Sequence, residues 1–265
     1  QLIHFFYIKV LKPFYFRRDP EDVHDAMTRV GQFLGKYAIT KKITSLLFSF
    51  SHPSLKQNIL GIHFPNPVGL AAGFDKDALL TDILPSVGFG FAEVGSITGE
   101  PCEGNPKPRL WRLPRSKGLV VYYGLKNDGA EAIATRLKNK KWGIPVGISV
   151  AKTNSPNTVP LEAGIADYVK AFRALYDIGA YTTVNISCPN AYGGEPFGDP
   201  ERLDALLMHI DAIPTQKPIF LKITADTAPH ELDALVKVTD RHRVHGFVVS
   251  NLTKQRDRPE IIPEE

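Results

Sequence analysis

Residues 182–210 read TTVNISCPNAYGGEPFGDPERLDALLMHI and hold one full unit of the chain's architecture. Thr182–Ile186 is a short β-prone run, and Ser187–Gly194 is a polar, glycine-rich loop. Asp199-Pro200 then pairs an N-cap residue with proline at the first helical position. Leu203, Leu206, Leu207 and Ile210 recur at spacings of three and four, the period of a helix with one buried face. Strand, loop and crossover helix in that order make a βα unit.

The unit repeats on both sides. Further β-rich runs occur at Pro67–Ala72, Phe91–Ile97, Pro145–Val150, Pro218–Ile223 and Gly246–Val249. Polar, Gly-rich or Asn-rich residues follow each, at Gly73–Asp77, Ser96–Gly99, Ala151–Asn154, Thr224–Asp226 and Ser250–Thr253. Thr227-Ala228-Pro229 opens another helix ahead of Leu232, Leu235 and Val236. In a parallel barrel those loops share one mouth, where active sites are built. The first strand lacks the GxGxxG turn of a doubly wound dinucleotide fold. The reading is therefore an α/β protein with a (β/α)8 TIM-type barrel, cut after about six βα units and before the last two, where such barrels often bind phosphate.

The 265 residues carry 32 basic and 28 acidic side chains, a net +4 that is too mild and dispersed for a dedicated nucleic-acid binder. Two cysteines, Cys102 and Cys188, build neither a disulfide framework nor a zinc ribbon, and no metal is expected. They suit a reducing compartment. The start of the chain is apolar, but Lys9, Lys12 and Pro13 cut the run short of the ~20 residues a membrane span needs. On a helical wheel Ile3, Phe6, Tyr7, Val10 and Phe14 fall together opposite Lys9 and Lys12, as in a helix lying in a membrane interface. A second helix is expected from Asp19-Pro20, with Val23, Met27, Val30, Leu34 and Tyr37 on one face. The domain expectation is a helical docking hairpin over 1–45 and a barrel over 46–265. The segment from Arg258 to Glu265 ends in mid-pattern, so the chain reads as a fragment.

Three stretches are more specific. They are Gly69-Leu-Ala-Ala-Gly-Phe-Asp-Lys-Asp77, then Glu93-Val-Gly-Ser-Ile-Thr98 with Gly104-Asn-Pro-Lys-Pro-Arg-Leu-Trp-Arg-Leu113, and Asn185-Ile-Ser-Cys-Pro-Asn190. Together they resemble dihydroorotate dehydrogenase, and the helical N-terminus resembles that family's membrane-associated, quinone-reducing class. The resemblance implies an FMN-containing barrel that oxidises dihydroorotate to orotate in pyrimidine synthesis and passes electrons to a membrane quinone. It implies a peripheral protein on an anionic membrane surface, on the cytoplasmic face of a bacterial inner membrane or at the mitochondrial inner membrane.

Removing a proton from one carbon and a hydride from its neighbour requires a base on one face of the substrate and a flavin on the other. By the resemblance, Cys188 is the base, and Ala191–Gly198 is a lid over it. Lys76, Asn185, Asn190 and Asn251 match substrate contacts. Ala72, Gly73, Lys76, Ser96, Ser149, Asn185, Lys222 and Ser250 match the flavin site, and His24 and Arg112 match the quinone tunnel. An ordinary thiol has a pKa of about 8.5, so oxidation through Cys188 is expected to peak at lower pH than through serine.

The chain also departs from the family. Cysteine as base belongs to the soluble classes, whereas the membrane-associated class uses serine. Val121 and Lys126 stand where the family carries asparagines, and Ser149 replaces a flavin-contacting asparagine. Two alternatives follow: a sister FMN barrel acting on another cyclic amide or enoate, and a non-catalytic membrane-surface relative.

Overall fold

The computed structural model describes residues 2–262. Gln1 and residues 263–265, where the N-terminal and C-terminal readings begin and end, lie outside that span. The N-terminal helix runs as α1 (Leu2–Phe6), a π-turn (Tyr7–Leu11) and α2 (Lys12–Tyr15). Helix α3 (Pro20–Lys36) starts where the sequence sets it: the Asp19 carboxylate accepts from the backbone N–H of Glu21 (2.8 Å) and Asp22 (3.2 Å). Helix α4 (Ala38–Phe48) follows after Tyr37 and extends past residue 45. The N-terminal region is thus three helical segments rather than a two-helix hairpin.

Two short antiparallel strands, β1 (Gln57–Ile59) and β2 (Ile62–Phe64), lead into β3 (Gly69–Leu70). A short helix, α5 (Leu84–Val87), precedes β4 (Phe91–Thr98), and a second hairpin, β5 (Leu110–Leu113) and β6 (Gly118–Val121), follows it. From there strand and helix alternate: α6 (Ala130–Leu137), β7 (Val146–Ala151), α7 (Leu161–Leu175), β8 (Tyr181–Asn185), α8 (Pro200–Asp211), β9 (Ile219–Ile223), α9 (Pro229–Thr239) and β10 (Gly246–Val249). The six strands expected from the sequence form one sheet in the order β3-β4-β7-β8-β9-β10, with every neighbouring pair parallel. It is a curled half-barrel with helices outside.

Each crossover helix buries one apolar face, and in α8 and α9 it is the face that the spacing predicts. Ile133 and Leu137 of α6, Phe172 and Leu175 of α7, Leu203, Leu206 and Ile210 of α8, and Leu235 of α9 pack on Val94, Ile148, Val184 and Leu221 of the sheet. Each such side chain withdrawn from water is worth about 1.5–3 kcal/mol. Asp199 caps α8 by accepting from the N–H of Arg202 (3.1 Å), and Glu231 reaches back to the N–H of Ala228 (2.8 Å) at the start of α9. These caps fix where helix begins and therefore how long each strand-to-helix loop remains.

Candidate active site

The register of β4 on β7 shifts between Val94 and Ile97. Gly95 sits at the shift with φ +105°, and a Cβ there would lie 2.5 Å from the Ser149 carbonyl oxygen, so only glycine fits. The bulge is tied to the loop after β3: the N–H of Gly73 donates to the Gly95 carbonyl (2.7 Å), and the N–H of Gly95 donates to the Asp75 carbonyl (3.0 Å). Ser96 is thereby turned toward the sheet's C-terminal end. Its Oγ lies 2.7 Å from Ser149 Oγ and accepts from Asn185 Nδ2 at 2.7 Å.

A cavity of about 110 Å³ opens at that end. Its wall includes Ala72 and Gly73 after β3, Lys76, Ser96, Asn185 at the end of β8, and Cys188 and Asn190 in the following loop, with Lys222 on β9 and Asn251 after β10. Five strands and the loops that follow them therefore bring nine of the sequence's candidate residues together. The amides are held before any ligand arrives. Asn185 Oδ1 accepts from the N–H (3.1 Å) and Oγ (2.8 Å) of Ser187, Asn190 Nδ2 donates to the Val121 carbonyl (2.8 Å), and Asn251 Nδ2 donates to the Ser187 carbonyl.

Four candidates fall elsewhere. Ser149 is fully buried behind Ser96 and does not line the cavity. Ser250 lines a larger, mostly apolar space of about 540 Å³ beside the sheet, which shares Ala72 and Lys222 with the smaller cavity. His24 and Arg112 are not brought together. His24 Nε2 donates to the Phe74 carbonyl (2.8 Å) on a third cavity of about 330 Å³, whereas Arg112 donates to the Arg18 carbonyl (2.8 Å) and stacks on the Phe16 ring (4.8 Å). Arg109 is the arginine that joins the barrel to α3. Its guanidinium bonds the buried Glu21 carboxylate at 2.7–3.2 Å, which holds that carboxyl below its ordinary value.

Electrostatics distinguish the reactive groups. Burial brings Lys76 down to about 8, against neighbouring carboxylates at Asp25 and Asp77 that favour its charge. Burial also pushes the Cys188 thiol up to about 11, which corrects the ordinary value expected from sequence. The loop expected as a lid is pinned: Tyr192 N–H donates to Asn154 Oδ1 (2.7 Å), and Glu195 pairs with Lys254 (3.0 Å).

Sequence reasoning did not single out Tyr123 or Lys152. Tyr123 stands between the 110 and 330 Å³ cavities and lines both, as do Lys76 and Lys126. Lys152, the first residue after β7, is 4 % exposed. Its position at a strand's C-terminal end was the available signal.

A parallel half-barrel with its polar cavity at the strands' C-terminal ends defines a β/α-barrel enzyme. The family model for dihydroorotate dehydrogenase matches residues 54–264, and the chain belongs to that family, which is flavin-dependent. A protein of Synechococcus sp. (strain JA-3-3Ab) named dihydroorotate dehydrogenase (quinone) is 40% identical over 258 residues, covering 95% of this chain and 68% of its own. A protein of the same name from Gloeobacter violaceus is 37% identical over 249 residues, covering 94% and 69%. Among solved structures, that of ligand-free DHODH from Eimeria tenella superposes with a TM-score of 0.79 at 24% identity, covering 93% of this chain and 72% of its own, a likeness of fold.

Proposed function

We propose that this chain oxidises dihydroorotate to orotate on bound FMN and passes the electrons to a membrane quinone; its relatives are named dihydroorotate dehydrogenase (quinone). The observation that carries this reading is the convergence of Lys76, Asn185, Cys188, Asn190, Lys222 and Asn251 on one cavity. The residues suit a flavin. A Cβ built on Gly73 meets nothing within 4 Å, leaving a flat cradle on the wall. Lys222, 7 % exposed, has no hydrogen bond or ion pair among the described residues and opens onto both adjoining cavities, so it awaits an anionic partner. Ala72, Gly73, Ser96, Asn185, Lys222 and Ser250 would hold the cofactor, with Ser149 acting through Ser96. When bound, FMN supplies the hydride acceptor.

The chain's own residues do the rest. The Cys188 thiolate takes the proton from the substrate carbon next to the one that loses hydride, and returns to thiol. Asn190 and Asn251 orient the ring amides; their side chains already have one hydrogen bond each fixing their planes, so little is lost on binding. The Lys76 ammonium faces the negative charge that develops.

Residues 1–45 form the docking unit and 46–265 the barrel. The helical segments leave Phe5, Phe33, Ile39 and Leu46 exposed, with Phe50 exposed just beyond α4, an apolar surface suited to a bilayer interface, and no helix among the described residues is long and apolar enough to cross a membrane. The protein would sit peripherally on a bacterial or mitochondrial inner membrane, with the 330 Å³ cavity at His24 leading the quinone toward Lys76. A second reading, a related cyclic amide or enoate as substrate, is favoured by Val121, which offers the cavity only a backbone carbonyl already used by Asn190.

The test is anaerobic. Dihydroorotate added to the flavin-loaded enzyme should bleach the visible absorption, and Cys188→Ala should abolish this; bound flavin that stays oxidised gives the substrate to the second reading.

A further inference from the structure

Lys152 is a buried cation without a counter-ion. Its Nζ donates to Thr158 Oγ1 (3.1 Å) and to the Tyr192 carbonyl (2.9 Å), both neutral, and among the described residues no carboxylate lies within ion-pair distance. The neighbouring Asp167 carboxylate is committed to the N–H (2.6 Å) and Oγ1 (2.8 Å) of Thr153. A lysine is rarely enclosed in this way unless a negative charge is available to it. Burial alone pulls Lys152 toward its neutral form.

Lys152 lines a void of about 10 Å³, room for about one water. Cys188 lines the same void, and Tyr168, Asn185 and Phe197 close it. We propose that Lys152 is the counter-ion of the Cys188 thiolate: across this void its ammonium stabilises the charge left on Sγ when the thiol ionises, and so sets the pH at which Cys188 takes the substrate proton. The inference rests on Cys188 being the base. Proton balance is simple. The thiol loses its proton to water, the thiolate takes the substrate's carbon-bound proton, and that proton leaves in turn to water. Lys152 stays an ammonium throughout and is a positioning residue for charge, with no contact to substrate.

The other groups around the thiol have mixed signs. Glu195 from the loop and Cys102 from the segment before β5 push it up, while Lys222 from β9 and the backbone N–H of Asn190 pull it down. Asp167 on α7 acts on Lys152 as a neighbouring negative charge, and Tyr168 lines the void. Lys152 meets Cys188 at the small void and Lys222 meets it at the 110 Å³ cavity, so the two cations face the sulfur from different spaces.

The test follows alkylation of Cys188 by iodoacetamide as a function of pH, read at that residue by mass spectrometry, in the flavin-loaded full-length enzyme. Lys152→Met and Lys152→Gln should both move the midpoint up by about 1–3 pH units, Gln keeping the hydrogen bonds without the charge. Lys152→Arg should restore it, and the acid limb of dihydroorotate-driven flavin reduction should move in parallel. Folded variants whose midpoint stays in place overturn the proposal, whatever they do to thermal stability. Should Lys152→Met not fold, Lys152→Gln and Lys152→Arg still decide: equal midpoints in the two overturn the pairing, and a Gln midpoint above the Arg one supports it. A Cys188→Ala enzyme that still bleaches at full rate would instead remove the base assignment, while the thiol midpoint would continue to report on Lys152.

Discussion

The Lys76 ammonium lies 4.0 Å from the centroid of the Tyr123 ring, and the Arg109 guanidinium lies 5.2 Å from the same ring. Arg109 is in turn bonded to Glu21 at the start of α3, and His24, one turn on, holds the Phe74 carbonyl two residues before Lys76. The helix that carries the exposed apolar surface is therefore anchored on both sides of the lysine in the cavity. The ring also supplies a polarisable face to a cation that burial has partly discharged.

Because Lys76 is brought down to about 8, its charge disappears as pH rises through that value, and with it the attraction for an anionic ligand. Orotate affinity, followed by perturbation of the flavin spectrum, should be flat below about pH 7 and weaken toward tenfold per unit above about 8. Lys76→Met should bind weakly at all pH values. Affinity in the unsubstituted enzyme that stays constant to pH 10 would contradict the assignment.

The Glu21–Arg109 pair should matter to stability. Removing Arg109 leaves the buried Glu21 carboxylate only the more exposed Lys107 (3.4 Å) and Lys126 (4.0 Å), so Arg109→Met should lower the unfolding free energy by about 1–3 kcal/mol at pH 7. Glu21 is held below its ordinary 4.5, so its contribution is complete above that pH and is lost as pH falls toward the folded value. Denaturant titrations at pH 7 and in the acid range should show this loss in the parent enzyme and a smaller one in Glu21→Gln.

Gly95→Ala forces a Cβ into contact with the Ser149 carbonyl oxygen at a φ of +105°. A cost of about 1–3 kcal/mol is expected from the backbone alone. The larger readout is flavin content after purification, which should fall because Ser96 and the Gly73 loop are both aligned by this bulge.

Leu46 and Phe50, 78% and 71% exposed, stand on the apolar surface of the helical region. Changing both to Asp should remove most binding to phosphatidylglycerol-containing vesicles in a flotation assay, since each buried apolar side chain contributes about 1.5–3 kcal/mol. Quinone turnover should drop with it, and bleaching by dihydroorotate should not. Equal loss in both half-reactions would instead mean that the helices serve folding.

Cys188→Ser should move the rise of flavin reduction to higher pH. The buried thiol at about 11 is still far more acidic than a serine hydroxyl. Stopped-flow reduction across pH 6–10 should show a variant limb displaced upward, and superposable profiles would exclude the sulfur as base.

The sequence by itself determined where the six parallel strands and the last two crossover helices run, because the strands are short β-prone runs and α8 and α9 are written in a local period and a local cap: Gly246–Val249 and the Asp199-Pro200 helix start agree with the structure to the residue. It also determined which polar residues stand at the strands' C-terminal ends, and so most of the cavity wall. The hairpins at 57–64 and 110–121 escaped it, since they stand outside the strand-and-helix alternation and are made by pairing with each other. Only the tertiary structure decided that Ser149 lies behind Ser96, that Arg109 reaches Glu21 while Arg112 turns to Phe16, and that Lys152 is enclosed beside Cys188. The reason is physical. Burial and charge at a site are sums over neighbours distant in the chain, as Arg109 and Glu21 are at 88 residues apart, and no local pattern records them.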